Sequence, residues 1–131
     1  MKSMRRLGII SALTILAVFS FGTAFAGTVE GTVQGLQCIT KGMLCPLDRQ
    51  DPHIAAEKVF GIFTETKDYY LVTNIDRAIL ARYLGKKVRV KGKVSSKYKA
   101  ITADKLEVLI NGKWRTKWTR EKEKYEFEIY G

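Results

Sequence analysis

Histidine, proline and cysteine are scarce in this chain of 131 residues, which contains one His, two Pro and two Cys. Two cysteines are too few for a multi-cysteine zinc module or a disulfide-dense miniprotein. The length is that of one domain, which excludes a multi-domain enzyme. The sequence has no nucleophile elbow, HExxH motif or Gly-rich phosphate loop, so we expect a non-enzymatic protein without a cofactor.

Long apolar runs are also missing after residue 21. Three bases lie among the first six residues, an apolar stretch covers residues 7–21, and an A-x-A signature ends at Ala26. This stretch of 15 mostly apolar residues falls short of the roughly 20 that span a bilayer. The pattern predicts a signal peptide over residues 1–26, cleaved near Ala26-Gly27. The mature chain is expected to be soluble, periplasmic or secreted, and not stably inserted in a membrane.

Acids are in the minority. The chain has 23 bases and 13 acids, and removing the leader, with its three bases and no acids, leaves 20 against 13, or +7. Such a field attracts nucleic acid, anionic lipid, acidic glycans or acidic proteins. Because export removes the chain from chromosomal DNA, we expect an acidic polymer or protein partner in the bacterial envelope. Nucleic acid is a less favoured partner.

Hydrophobic periodicity predicts five strands and one helix. The predicted strands are 28–36, 58–64, 69–73, 86–94 and 99–110, and the predicted helix is 74–85. Asn74 is the expected N-cap, and Gly85 is placed to end the helix in the left-handed conformation. The glycines on the inner face of the first strand indicate either a sharply coiled strand or close backbone approach. A slip of the alternation near Asp104-Lys105 indicates a β-bulge. Residues 37–57 are expected to form one long loop.

The C-terminal residues are less regular. Asn111-Gly112 predicts a tight hairpin turn, followed by a short strand at 113–119. Residues 120–124 are expected to be a solvated loop. Residues 125–130 alternate apolar side chains with acids, which predicts either an added edge strand or a mobile tail.

The order of elements is that of the five-stranded OB barrel, a mainly β Greek-key fold with its helix between strands three and four. The segment YLGKKVRVKGKV, followed by AITADKLEVL, resembles the second half of many bacterial OB domains. The whole chain resembles the small exported bacterial OB-fold proteins, which are single barrels behind a signal peptide. The resemblance implies a barrel over residues 27–110 and no catalytic residue. Residues 111–131 have no counterpart in it and are expected, from their own sequence, to form a C-terminal hairpin or tail.

Cys38 and Cys45 both lie in the long loop after the first strand. In an oxidising compartment two nearby cysteines normally pair, and a disulfide closing so short a loop stabilises by about 2–3 kcal/mol. The alternative is a Zn or Cu(I) site made by Cys38, Cys45 and His53.

A basic run is the strongest candidate for binding. Nine bases and no acid occur over residues 77–99. The candidate ligand-binding bases are Lys87, Arg89, Lys91, Lys93, Lys97 and Lys99. Side chains two apart on a strand are about 6.6 Å apart, near the spacing of consecutive phosphates. The alternative is a solvated outer face that keeps a barrel apart from its neighbours.

Aromatic residues could supply stacking surfaces beside these bases. The candidates are Tyr69, Tyr70, Trp114 and Trp118. One of the two adjacent tyrosines must face outward, and two tryptophans four apart on a regular strand would share a face. The alternative is that both tryptophans cover the end of the barrel as core.

These features favour an exported, non-enzymatic OB-fold binding module for an acidic ligand or partner. Three alternatives stay open at this point. They are a metal-handling protein that uses the cysteine loop, a structural component of an envelope assembly, and an extracellular single-stranded nucleic-acid binder.

Overall fold

The computed structural model describes residues 24–49 and 51–130, so residues 1–23 of the predicted signal peptide lie outside the described residues. The strands are β1 (Phe25–Gly35), β2 (Phe60–Phe63), β3 (Tyr69–Val72), β4 (Lys87–Ser95), β5 (Ala100–Ile110) and β6 (Lys113–Thr119). The helices are α1 (Leu36–Thr40), α2 (Pro52–Ala56), α3 (Arg77–Ala81) and α4 (Arg120–Tyr130).

Five strands close a barrel. β1 pairs antiparallel with both β2 and β4, β2 pairs with β3, and β4 pairs with β5. A short parallel pairing of β3 with the beginning of β5 closes the ring, and β6 folds back on the far end of β5. The predicted mainly β, OB-type barrel is therefore confirmed, with α3 between the third and fourth strands and the predicted hairpin as a sixth strand.

The core follows the alternation that the sequence shows. Val88, Val90 and Val94 of β4 are buried, while the charged residues between them point outward. They pack against residues of other strands such as Ile62 and Leu106, which are fully buried. Burial of one face of each strand is the main source of stability in a barrel of this size.

Two inward-facing glycines let strands approach closely. A Cβ on Gly31 would collide with the carbonyl oxygen of Phe63, and one on Gly92 would collide with that of Thr102. The β4–β5 register shifts beside Gly92 and leaves Asp104 as the extra residue of β5. The predicted close approach and the predicted bulge are thus both confirmed.

The helix over residues 74–85 was predicted too long. α3 covers only Arg77–Ala81, and the side chain of Asp76, not Asn74, accepts the hydrogen bond from the Ala78 amide at 2.7 Å. Asn74 instead bonds the backbone of Ala103 in both directions, at 2.6 and 2.8 Å. This contact with the bulged strand holds Asn74 outside the helix. Gly85 has φ +69°, the left-handed conformation that was expected.

Two other expectations for local structure were wrong. The long first loop is not irregular throughout, because it contains α1 and α2. Residues 120–130 form α4 instead of a loop followed by a strand or mobile tail. The Thr119 hydroxyl caps this helix by accepting from the Lys122 amide at 3.2 Å, and ion pairs one turn apart, such as Lys122–Glu126, lie along it.

Candidate binding face

The outer face of β4 carries four of the six predicted bases, and the first two of them meet acids. Lys87 lies 3.4 Å from Glu30 of β1 and 3.1 Å from Glu65, which follows β2. The hydrogen bond that Lys87 donates to Glu65 is the main reason that the pKa of Lys87 is raised. Arg89 contacts the other oxygen of Glu30 at 3.3 Å. These two bases are therefore engaged within the chain.

Arg89 also stacks on an aromatic ring. Its guanidinium carbon lies 4.0 Å from the centroid of the Trp114 ring on β6. This is a close cation–π contact, of the kind that stabilises by about 0.5–1 kcal/mol near a surface. Arg89 thus links β1, β4 and β6 across the sheet, and we call Lys87 and Arg89 the paired half of β4.

Beyond Arg89 the outer face has a different character. Lys91 stands directly opposite Lys105 of β5 in register, and Lys93 stands opposite Thr102. On the other side of β4 their neighbours are Thr28 and Ala26, neither of which is charged. We call Lys91, Lys93 and Lys105 the open lysine patch.

One carboxylate, that of Glu107, serves two lysines of the open lysine patch. Its Oε1 lies 3.1 Å from Lys105 Nζ, and its Oε2 lies 3.6 Å from Lys91 Nζ, too far for a hydrogen bond. The hydrogen bond with Lys105 is the main reason that the pKa of Glu107 is lowered. Among the described residues, no acid lies within 4.0 Å of Lys93 Nζ. The patch therefore keeps a net positive charge.

The last two predicted bases, Lys97 and Lys99, both lie in the turn between β4 and β5. Lys99 forms a close ion pair with Asp68 at 2.7 Å and lies 5.5 Å from the centroid of the Tyr70 ring. Its hydrogen bond raises the pKa of Lys99 and lowers that of Asp68. Lys97 lies over the exposed ring of Tyr98, at 5.3 Å. The run of six bases is thus divided among three environments.

The two tryptophans do not share a face, contrary to the prediction. Trp114 stands opposite Leu109 on the outer side, whereas Trp118 stands opposite Leu106 and is 5 % exposed in the core. The β5–β6 register shifts by one residue between them, because Lys117 is an extra residue of β6. Since a slip of one residue changes the face of every later side chain, Trp118 is core and Trp114 supports Arg89.

The adjacent tyrosines divide as expected. Tyr70 is opposite Ile62 in register and packs against the core, so Tyr69 points to the other face, opposite Phe63. Both rings are half-buried. Both tyrosines lie on β3, whereas the open lysine patch lies on β4 and β5.

The first loop is closed by the predicted disulfide between Cys38 and Cys45, whose Cα atoms are 5.5 Å apart. Two buried polar side chains fix the loop from below. The Glu57 carboxylate accepts hydrogen bonds from the backbone amides of Gln37, Lys58 and Val59 at 3.0–3.1 Å. The side-chain oxygen of Gln34 accepts a hydrogen bond from the Cys45 amide at 2.6 Å. The sequence analysis missed both residues. Nothing in a loop sequence marks Glu57 as buried, and Gln34 is a polar residue of β1 between buried neighbours.

A pocket of about 160 Å³ lies within this loop and is lined by both cysteines and His53. The two sulfurs bond to each other, so neither offers a thiolate to a metal ion. Over residues 24–49 and 51–130 there is no group of three His, Cys, Asp or Glu side chains that could hold a metal. His53 is exposed on α2, where its amide is capped by Asp51 at 2.8 Å.

The structure also shows acids that the sequence analysis did not connect with the basic run. Glu30 and Glu107 lie on the strands on either side of β4, in one row with Arg89. Their outward positions follow from the alternation of β1 and β5. The OB strand order, in which both strands flank β4, would therefore have predicted acids beside the basic face. No helix in the described ranges is long and apolar enough to cross a membrane.

The fold and its outer face define this chain as a five-stranded OB-type barrel with a sixth strand and a divided basic surface. Comparisons with family models, with curated proteins and with solved structures find no match. The function must therefore be argued from the face itself.

Proposed function

We propose that this chain is an exported, non-enzymatic binding module whose open lysine patch takes an acidic ligand or protein partner of the bacterial envelope. The observation that carries the proposal is the register of Lys91 against Lys105. Like charges directly opposite on neighbouring strands destabilise a sheet. A pair of lysines in this position, with one shared carboxylate, suits a ligand that brings the missing negative charge.

The position of the predicted cleavage point supports the same surface. Cleavage after Ala26 would remove Phe25 and Ala26, the first two residues of β1, and so would take away the β1 neighbour of Lys93. Gly27 would then be the first residue, and it pairs with Gly92, between Lys91 and Lys93. The new α-amino group would add a further positive charge beside these lysines. The Cys38–Cys45 disulfide favours the oxidising compartment to which such a leader directs a protein.

The experiment compares two double variants in binding to fluorescent dextran sulfate, an acidic polymer probe, at graded salt. Lys91→Gln/Lys93→Gln removes two charges from the open lysine patch. We expect weaker binding at every salt concentration and a slope of log affinity against log salt reduced by about 1 for each lysine removed.

The matched control is Lys41→Gln/Lys58→Gln, which removes the same net charge from exposed positions that follow α1 and α2, away from the open lysine patch. If the control weakens binding as much as the patch variant does, the polymer responds to net charge alone and the proposed site is wrong. A wild-type chain that binds no dextran sulfate at low salt would also overturn the proposal.

A further inference from the structure

Helix α4 leaves its large apolar side chains in solvent. Every residue of the helix is exposed. The exposed fractions are 63 % for Tyr125, 76 % for Phe127, 51 % for Ile129 and 85 % for Tyr130. A helix of 11 residues that buries nothing is marginal in water, because helices in proteins are stabilised mainly by packing. The apolar side chains of this segment therefore have no surface in the described residues against which they are buried.

Periodicity indicates which structure would bury these side chains together. In a helix, consecutive residues are about 100° apart, so Phe127 points away from both Tyr125 and Ile129. In a strand, the same three residues share one face, and Glu126 and Glu128 share the other. Only the extended form gathers the apolar side chains on one side and the acids on the opposite side.

Strand β6 offers an edge with the matching pattern. Among the described residues, β6 pairs with β5 alone, so its other edge is free. One face of this edge shows Trp114 and Thr116, and the other shows the exposed bases Lys113 and Arg115. Basic residues on an edge normally prevent strand addition, but a strand that carries acids on the same face would reverse that effect.

We infer that residues 125–130 of one copy of this chain add as an antiparallel strand to the β6 edge of a second copy. The register that satisfies both faces sets Phe127 against Trp114, Glu126 against Arg115 and Glu128 against Lys113. If both copies exchange tails, the assembly closes as a two-fold dimer. The inference is independent of the open lysine patch, which lies on β4 and β5.

The anchoring of α4 favours a second copy over the chain's own edge. The Arg120 guanidinium donates to the carbonyl of Ala103 at 2.8 Å and lies 3.2 Å from Asp104. Both residues belong to β5, on the side of β6 away from its free edge. The chain after Thr119 is thus directed away from the free edge of its own β6. Residues 125–130 would have to reach that edge to pair with β6 of the same copy.

Reciprocal charge reversal tests the inference by sedimentation of the exported form over a wide range of concentration. We expect the wild type to dimerise. Lys113→Glu/Arg115→Glu and Glu126→Lys/Glu128→Lys should each raise the dimer dissociation constant by about tenfold or more, because each sets like charges against each other. An equimolar mixture of the two variants should restore the dimer.

The matched control is Glu121→Lys/Glu123→Lys, which makes the same charge change in α4 outside residues 125–130 and should leave the dimer intact. Far-ultraviolet circular dichroism confirms that each variant is folded. A wild type that stays monomeric overturns the inference, whether its tail remains helical or pairs with its own β6. A dimer that survives both reversals, or a mixture that does not restore it, overturns it as well.

Discussion

The two halves of β4 share an alternation but differ in what surrounds their charges. In the paired half, Lys87 and Arg89 face Glu30, and Arg89 also stacks on Trp114. In the open half, Lys91 faces Lys105, and Lys93 has only uncharged neighbours in register. The bulge at Gly92 and Asp104 lies within the open half.

This difference teaches that a run of bases in one strand does not define a binding site. The neighbouring strands decide which charges are satisfied within the chain and which face solvent. The side chains of the paired half hold three strands together, whereas the lysine side chains of the open half add little to the fold and are available to a ligand. Substitution of the charged side chains should therefore affect stability in the paired half and binding in the open half.

The largest expected effect comes from the glycine between the two lysines of the open half. In Gly92→Ala, the new Cβ would meet the Thr102 carbonyl and the Ala103 backbone, neither of which can move aside without breaking the β4–β5 pairing. We expect a loss of about 3 kcal/mol in the free energy of unfolding. Urea unfolding, followed by tryptophan fluorescence, measures it.

Lys93→Ala provides the comparison for this prediction, since it adds no atom and changes an exposed position next to Gly92. It should change the free energy of unfolding by no more than about 0.5 kcal/mol. Equal stabilities for Gly92→Ala and the wild type would show that β4 and β5 can separate there without cost, and the bulge would then not be a fixed point of the fold.

Most of the fold could be predicted because its signals are local. The alternation of β4 and the Asn111-Gly112 turn are patterns of consecutive residues, and φ at Asn111 and Gly112 is positive, as that turn requires. The failures occurred where a distant contact overrode a local preference. Asn74 had the composition of an N-cap, but its side chain bonds Ala103 on β5 instead.

Less of the candidate site could be predicted, because it depends on register. The sequence identifies nine bases over residues 77–99 but cannot show that Glu30 meets Arg89 while Lys105 meets Lys91. The slip at Lys117 is a further example, because one extra residue moves Trp118 into the core and leaves Trp114 outside. Register shifts of one residue leave no mark in composition.

A smaller effect on stability is expected from Arg89→Ala, and comparing it with Lys93→Ala tests the difference between the two halves of β4. Arg89→Ala removes both the ion pair with Glu30 and the stacking on Trp114, and we expect it to cost about 1 kcal/mol of stability. Lys93→Ala should be near neutral in stability but should weaken binding to dextran sulfate. Urea unfolding of both variants gives the free energy of unfolding, and titration with dextran sulfate gives the binding affinity.

A reversed pattern would break the comparison. If Lys93→Ala destabilised the chain more than Arg89→Ala, the open half would be structural and the paired half expendable. Trp114→Leu is the companion variant for Arg89→Ala, because it keeps an apolar side chain and removes only the ring beneath the guanidinium. Trp114→Leu should lose less free energy of unfolding than Arg89→Ala. The double variant should lose less than the sum of the two single losses, because both remove the same stacking contact.

The smallest expected effect is the pH dependence that Glu107 gives to the open half. The pKa of Glu107 is lowered below its ordinary value of 4.5, chiefly by the hydrogen bond from Lys105. A carboxyl whose pKa is lower in the folded than in the unfolded state stabilises the fold above its unfolded value. That contribution is lost as the pH falls through the folded value.

The free energy of unfolding should therefore decrease below about pH 4.5, and the decrease should be shallower in Lys105→Met, which returns the pKa of Glu107 towards its ordinary value. Lys91→Met should change the acid limb less, since Lys91 lies 3.6 Å from Glu107 and Lys105 lies 3.1 Å away. Asp68 has a pKa lowered by Lys99 and titrates equally in all three proteins, so differences between them report Glu107. If all three acid limbs coincided, Glu107 would be uncoupled from the lysines around it. The patch would then carry more free positive charge than its geometry implies.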